Sequence, residues 1–405
     1  MTIATGVAKK LKYKVEVTWG TVPSAASSQD LRRVTSTLGL KKATYESNEI
    51  LSTYQRSDYR HGIRSIEGAI NGELSPGTYK DFMAAAVRRA FTTVTAMSGL
   101  SITIAGSGPT WTVTRSAGSW LTDGVKDGYV GRLTAGAFNA ANLNKNLIVV
   151  SVTSATVLTV ALFPGVAALV AEGPIATSTL TIPGKITFAP SSGHTDLSYS
   201  IEHWHSDVSL SHVFSGCKIR KMDIGLPPTG ISTAGFDFIG KDITTAGAEY
   251  FTSPTAATTT GVMAAVNGLL IAQSGLSANV TGASLSLDGN MSVEPVVGSN
   301  TYADIAEGRI LVSGQLTALF QDAVMRDYFI NETEVSLAVA LSASSAVGSD
   351  FISFALPRIK LGAADIDDGD KSLIITMPFT ALYNSAGGAG VKTEQTTLQI
   401  HDSQA

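Results

Sequence analysis

The sequence has little that could support disulfide, membrane or secretory functions. Its 405 residues include one cysteine, Cys217, so no disulfide can form within the chain. The longest apolar run, 157–170, is interrupted by Pro164 and Gly165 and is too short to cross a membrane as a helix. Residues 1–17 contain lysines but no apolar core followed by a small-residue cleavage site, which predicts no secretory signal. Together these features predict cytosolic synthesis and no membrane segment.

Charged residues are also scarce, at 15% of the chain, whereas 44% is hydrophobic. That balance supplies enough apolar residues for packed cores and is unlike a disordered chain, and the length predicts two or three domains. The charge is uneven. Residues 1–250 hold 23 basic and 18 acidic residues (net +5), whereas residues 251–405 hold 6 and 15 (net −9). Halves of opposite charge could steer head-to-tail contact between copies, or they could reflect ordinary surface variation.

The most informative feature is a unit that occurs twice. Glu67-Gly68 matches Glu307-Gly308, and Gly72-Glu73-Leu74 matches Gly314-Gln315-Leu316 after a two-residue insertion. Each copy reads as a strand followed by an amphipathic helix, which predicts helices over 78–91 and 317–329 in equivalent places of two similar folds. Chance similarity between two strand–helix units is the alternative.

The predicted helices carry apolar residues at helical spacing. The first has Tyr79, Phe82, Met83, Ala86, Val87 and Ala90, and the second has Leu316, Leu319, Phe320, Ala323, Val324 and Tyr328. Arg88 and Arg89 would lie in the last turn of the first helix, where positive charge suits the helix dipole.

Most of the remaining chain reads as strands. Residues 99–179 contain short alternating segments separated by Gly, Asn and Asp turns, which predicts a small inserted β-domain, a barrel or a sandwich. Residues 244–268, rich in Thr, Ala, Ser and Gly, predict a linker. The predicted fold is mainly β, with one discontinuous unit (1–98 and 180–250), the inserted domain (99–179) and a second unit (251–405).

Few residues suggest a chemical site. His203 and His205 alternate on a predicted strand, with His194 and His212 nearby, but no cysteine pair or helical His-Glu motif accompanies them, so a hydrated or interface strand face is favoured over zinc. The acidic run holds Asp365, Asp367, Asp368 and Asp370. It is one residue too short for a calcium loop and has Thr376 where a bidentate Glu should stand, so it predicts an acidic turn.

A carboxylate pair is conceivable, because Glu67 and Glu73 are spaced to share one face of a strand. The second copy keeps Glu307 but has Gln315 at the other place. Cys217 lies in a strand-like run and is predicted to pack as a small apolar residue. We therefore expect no catalytic, metal-binding or cofactor-binding residues and no cofactor.

Several blocks of the sequence are informative when taken together. They are Tyr13-Lys14-Val15-Glu16, Thr18-Trp19-Gly20-Thr21-Val22-Pro23, Leu31-Arg32-Arg33-Val34, Ser47-Asn48-Glu49-Ile50, Arg60-His61-Gly62, Glu67-Gly68 through Arg88-Arg89, and Ser116-Ala117-Gly118-Ser119-Trp120-Leu121 with Asp123-Gly124. These blocks together resemble the tail tube proteins (major tail proteins) of long-tailed, siphovirus-like bacteriophages. The resemblance is clear over about 1–240 and weak beyond.

The resemblance implies a virion protein that is not an enzyme. Such proteins form rings that stack into a tube, through which double-stranded DNA passes without sequence-specific binding. One-unit members are expected to form six-membered rings, so a chain with two units would form trimeric, pseudo-hexameric rings. Implied partners are further copies, the tape measure, the tail terminator and the distal tail protein. The inserted domain is expected on the tube exterior.

Two other classes of protein fit parts of the sequence. A secreted or surface β-rich adhesin would explain the Thr, Ser and Gly content but conflicts with the missing signal peptide. A carbohydrate-active enzyme would use Glu67 and Glu73 as its carboxylate pair.

Overall fold

The computed structural model describes residues 3–272, 280–321, 323–368 and 370–405. The strands are β1 (Lys9–Val15), β2 (Gln29–Asp30), β3 (Thr35–Ser36), β4 (Gly39–Glu46), β5 (Tyr59–Glu73), β6 (Met97–Gly106), β7 (Thr110–Arg115), β8 (Val130–Ala135), β9 (Leu147–Val152), β10 (Val157–Leu162), β11 (Glu172–Thr181), β12 (Lys185–Phe188), β13 (Tyr199–His205), β14 (Leu210–Leu226), β15 (Thr233–Gly240), β16 (Asp242–Ala246), β17 (Gly268–Ala272), β18 (Val280–Asp288), β19 (Ser292–Val293), β20 (Ile305–Ala306), β21 (Leu311–Leu319), β22 (Val335–Ser342), β23 (Phe351–Leu361), β24 (Asp365–Ile366), β25 (Ile374–Ala381) and β26 (Gln399–Asp402).

The helices of the described residues are short: α1 (Lys80–Ala86) and α2 (Val324–Ile330), with 3-10 turns at Ala140–Asn142 and Ala265–Asn267. The prediction of a mainly β fold is therefore confirmed. Neither α1 nor α2 is long and apolar enough to cross a membrane.

One antiparallel sheet, here called the main sheet, runs through both halves of the chain. Its eight strand positions follow the order β3–β4, β5, β15, β14, β18, β21, β25 and β23–β24. One face of this sheet packs into a core that includes Ile70, Phe236, Ile224 and Leu287. A single core therefore underlies the two halves.

Two smaller sheets lie next to the main sheet, because β14 and β23 are long enough to pair in two places. The first half of β14 belongs to the sheet β2-β1-β13-β14-β16. The first half of β23 belongs to the sheet β17-β22-β23-β26-β12, here called the second small sheet. Where β14 passes between sheets, Gly216 has φ 67°, and a Cβ there would lie 2.8 Å from the Lys241 side chain. Glycine alone fits this close approach without strain.

Residues between α1 and β12 form a closed barrel in the order β10-β7-β6-β11-β8-β9. It has its own core, in which Trp120 is fully buried and donates its indole N–H to the Thr156 carbonyl at 2.9 Å. The barrel packs on the second small sheet, because Val130 and Phe163 share a buried cluster with Phe351. β12, the strand that follows the barrel, also pairs with β26 of that sheet.

The first predicted helix is shorter than expected. α1 ends at Ala86, and its predicted stripe is buried except for Ala90, which lies beyond the helix and is exposed. Phe82 packs against four aromatic rings at 4.8–5.5 Å. Arg88 and Arg89 lie beyond the helix rather than in its last turn, because Arg88 takes a left-handed conformation with φ 60°.

The predicted second helix, 317–329, begins too early. Residues 317–319 belong to β21, and α2 starts at Val324, so Leu316 and Leu319 are strand residues and Phe320 follows the strand. Pairing with β25 on one side and β18 on the other holds these residues in the main sheet, and this tertiary pairing overrides the helical spacing of the apolar residues.

The matched tripeptides also occupy different places. Gly72-Glu73-Leu74 stands at the end of β5, whereas Gly314-Gln315-Leu316 lies within β21. The strand ends are set by pairing: Glu73 lies opposite Thr233, and Leu319 lies opposite Ile374. The equivalent of Glu73 is therefore Leu319, four residues beyond Gln315.

Candidate functional site

The main sheet has one exposed face that crosses both halves of the chain. Buried and exposed residues alternate along its strands, as in β5, where Ile66 and Ile70 are buried and Glu67, Asn71 and Glu73 are exposed. Glu67 and Glu73 are both exposed on this face.

The exposed face is polar and carries more acidic than basic side chains. The acidic residues are Glu67, Glu73, Asp223, Asp237, Asp288, Asp365 and Asp367, and the basic residues are Lys41, Lys221, Lys360 and Arg220, which is exposed at the bulge beside Lys221. Lys221 binds Asp223 at 2.9 Å, and this hydrogen bond raises the pKa of Lys221. Lys221 is thus already neutralised, and Lys360 lies 3.5 Å from Glu332.

The two halves meet edge to edge in the main sheet. β14 and β18 pair antiparallel, with Lys221 opposite Asp288, Met222 opposite Leu287 and Ile224 opposite Leu285. This contact, here called the internal joint, combines backbone hydrogen bonds with buried apolar pairs on one face and an opposite-charge pair on the other. Each of these contributes to strand association.

Arg88 strengthens the internal joint from the core side. Its guanidinium donates to the carbonyls of Gly308 at 2.8 Å and Gly289 at 3.1 Å, and its Nε lies 3.1 Å from the Glu307 carboxylate. Burial raises the pKa of Glu307, and the charge of Arg88 opposes that rise. A helix end of the first half is thereby fixed to the second half.

Lys218 makes a second polar contact across the joint. Its Nζ is buried and lies 2.7 Å from Asp196, 3.4 Å from Asp304 and 3.2 Å from the Ile305 carbonyl. Because Lys218 and Asp196 belong to the first half and Asp304 and Ile305 to the second, the ammonium joins them.

The main sheet ends on each side in short strands that pair on one side only. Among the described residues, β3 and β4 pair only with β5, and β24 pairs only with β25. Unpaired strand edges invite pairing with another chain. Both ends of the sheet are therefore candidate contact surfaces.

The predicted histidine group is not assembled as a ligand set. His203 is buried and shares a 2.8 Å hydrogen bond with Ser36 Oγ, and burial lowers the pKa of His203 to about 2. The rings of His205 and His212 are 5.7 Å apart, while His194 is exposed. Within the described residues, no group of three His, Cys, Asp or Glu residues could hold a metal.

The other sequence candidates have structural places. Asp365 belongs to β24 at the open edge, and Asp367 accepts the Ile374 N–H at 2.6 Å. Asp368 and Asp370 are exposed. Cys217 is fully buried in the main core, and burial raises the pKa of its thiol.

Comparison with known families agrees with a sheet that has unpaired strand edges at both ends. The family described as phage tail tube protein matches residues 6–381. The chain belongs to the phage tail tube protein family. The match extends well beyond residue 240, where the sequence resemblance weakened. No curated protein matches the chain.

The tail tube family is structural and is not a family of enzymes. Membership gives this chain the role of a tail tube structural protein in the virion tail, with self-assembly into a tube and contact with other tail proteins. Sequence reasoning missed the tail tube protein's internal joint. The sequence feature that could have indicated it is the similarity between two alternating segments. These are TSTLGLK at 35–41, on the open edge of the first half, and GASLSLD at 282–288, in the strand of the second half that forms the joint.

Proposed function

We propose that three copies of this chain close into a ring and that rings stack head to tail into the tail tube. The main sheet supports this proposal, because one copy already joins two four-strand sets edge to edge and leaves an open edge at each end. Three copies would supply six such sets. Closure removes both open edges of the main sheet, which is a favourable end state for a sheet of this kind.

The two sets correspond to two tail-tube units with a discontinuous first unit. We assign 1–98 and 180–250 to the first unit, 251–405 to the second and 99–179 to the inserted barrel domain. The order of neighbouring strands in the sheet is the same in both units. It is β5, β15 and β14 in the first unit and β21, β25 and β23–β24 in the second. The ring is then threefold in chains and approximately sixfold in units.

The exposed face of the main sheet lines the channel for DNA in this proposal. Each Lys or Arg that contacts a phosphate releases counterions and adds affinity, so a passage for DNA benefits from few basic groups. The face has four basic residues against seven acidic ones, and two of the four, Lys221 and Lys360, are paired with Asp223 and Glu332. Double-stranded DNA would pass along this surface without sequence-specific binding.

The barrel domain decorates the outside of the tube. It packs on the second small sheet, where Ser353 donates to the Gly128 carbonyl at 3.2 Å and His401 accepts the Val130 N–H at 3.2 Å. These contacts are made by β23 and β26 of the second small sheet and not by the side chains of the exposed face. The ends of the tube would meet the tape measure, tail terminator and distal tail proteins.

Electron microscopy of the purified protein tests this function. We expect rings or tubes with a central channel, and native mass spectrometry of a released ring should give three chains. A ring of six chains would refute the two-unit arrangement, and a protein that stays monomeric at high concentration would refute assembly through the open edges.

A further inference from the structure

We infer that β24 of one copy pairs antiparallel with β3–β4 of the next copy, in the register that β14 and β18 use at the internal joint. This inference rests on the proposed ring and specifies its contact. The observations that support it are the strand equivalences, the exposure of one isoleucine and the charges at the two edges.

The first step aligns the open edge of the second half with its paired counterpart. Asp223 lies opposite Gly235, which is two residues after the start of β15 at Thr233. Ile224 lies opposite Ala234, which is one residue after that start. In the second half, Thr376 is two residues after the start of β25 and lies opposite Asp365. Ile375 is one residue after that start and lies opposite Ile366. The same Asp-Ile dipeptide therefore stands at both positions.

The second step aligns the other open edge with β18. Gly282 lies opposite Thr317, two residues before the end of β21, and Thr35 lies opposite Asn71, two residues before the end of β5. Residues 35–41 therefore stand where 282–288 stand. If the two open edges pair in the same register as β14 and β18, Ile366 lies opposite Leu38 of the next copy and Asp365 lies opposite its Gly39.

Exposure supports a missing partner at β24. Ile224, covered by Leu285 at the internal joint, is 1% exposed, whereas its counterpart Ile366 is 38% exposed. Leu38, the side chain that the transferred register brings to Ile366, lies on the core face of its sheet, as Leu285 does. The new contact would extend the core across the boundary between copies.

Charge supports the same register. Lys41 and Gly39 share the exposed face of β4, and Asp365 lies opposite Gly39, so Lys41 is its diagonal neighbour on that face. Diagonal pairs in antiparallel strands are about 7–8 Å apart and within reach of a lysine. The internal joint also places opposite charges across its strands, although there Lys221 and Asp288 lie directly opposite each other.

The hairpin between β4 and β5 adds apolar surface for the neighbouring copy. Residues 47–58 connect the two strands, and several large side chains of this region are uncovered: Tyr45, Ile50, Leu51, Tyr54 and Tyr59. In the second half, the connection from β18 to β21 lies against the first half through Gly289, Asp304 and Glu307. The β4–β5 hairpin would lie against the next copy in the same way.

Disulfide trapping tests the pairing. Gly39→Cys and Asp365→Cys in one chain place two thiols directly opposite each other across the boundary, where Cβ atoms are about 4.5–5.5 Å apart before closure of a disulfide. A Cβ at Gly39 fits, because its nearest heavy atom is the Thr37 carbonyl oxygen at 3.8 Å. Cys217 is buried and does not compete.

Mild oxidation of assembled rings should give covalent dimers and trimers on non-reducing gels, and the ladder should stop at three chains. Ser286→Cys with Asp223→Cys is the matched control, because these residues face each other within one chain. The control should form its disulfide without any increase in mass.

The outcomes separate this inference from the proposed function. Rings that form normally but give no ladder would refute the pairing and leave the ring intact. A ladder that reaches six chains would support the pairing and refute the three-chain ring. If the unsubstituted protein forms no rings, and the double variant stays monomeric after oxidation, both proposals fail.

Discussion

Arg88→Ala should destabilise the protein in a pH-dependent way. The substitution removes hydrogen bonds to two carbonyls and leaves the partly buried Glu307 carboxylate without its cation. Breaking a buried ion pair from one side costs roughly 3–5 kcal/mol, and each lost hydrogen bond to a charged donor costs about 1.5–3 kcal/mol. Because water still reaches Glu307, whose side chain is 20% exposed, we expect a loss of about 2–4 kcal/mol.

The pH dependence follows from Glu307. Burial raises its pKa, and Arg88 holds that rise in check, so the pKa should rise further in the variant. A carboxyl whose folded pKa exceeds its unfolded value favours folding below the unfolded pKa, and this contribution is lost as the pH rises through the folded pKa. The destabilisation by Arg88→Ala should therefore be larger at pH 8 than at pH 4.5.

Urea unfolding of the ring-free protein at the two pH values measures this effect. Arg88→Lys, which keeps the charge, should lose less stability. Arg88→Ala combined with Glu307→Gln should recover part of the loss at pH 8, because no buried carboxylate remains unpaired. An equal loss at both pH values, or no recovery in the double variant, would show that Glu307 does not depend on Arg88.

Three further predictions concern the core, the barrel contact and the exposed face. Phe82→Ala should cost about 3–5 kcal/mol in urea unfolding, and Phe320→Ala clearly less, because Phe82 is 1% exposed whereas Phe320 is only partly buried; equal losses would contradict this. Burial lowers the pKa of His401 to about 4 from 6.5, so its contribution of about 3 kcal/mol is present above pH 6.5 and lost as the pH falls towards 4. His401→Gln should make unfolding less dependent on pH in that window, and an unchanged pH profile would refute this role. Glu67→Lys with Glu73→Lys should slow DNA ejection from virions in a salt-dependent way, whereas the Gln variants should have a smaller effect; equal rates would argue against this face as the channel wall.

The sequence predicted the class of fold and the family, but it misplaced the repeat. Gly72-Glu73-Leu74 and Gly314-Gln315-Leu316 are similar in sequence. Their positions relative to the ends of their strands nevertheless differ by four residues. Local sequence does not reveal which residue ends a strand, because pairing with β15 and β25 decides it. The Asp-Ile dipeptides at 223 and 365 were the better guide.

Helix ends were unpredictable for a similar reason. Arg88 was expected in a last helical turn because of the helix dipole. Its contacts with Gly289 and Gly308, some 200 residues away in the chain, instead hold a left-handed residue after the helix. The internal joint could not be inferred from composition, because its charged residues are separated in sequence and meet only through the order of the strands.

The barrel has a consequence for how the chain reaches its native state. It interrupts the first half in sequence but is seated on the second half, where Lys126 donates to the Val391 carbonyl at 2.6 Å and Val130 donates to His401. During synthesis from the N-terminus, the barrel can close early, but the surface around Phe163 stays uncovered until Ala340 and Phe351 have left the ribosome. Contacts of such long sequence separation form slowly. The nascent chain therefore carries an apolar patch for most of its synthesis, and truncated products should be the aggregation-prone species.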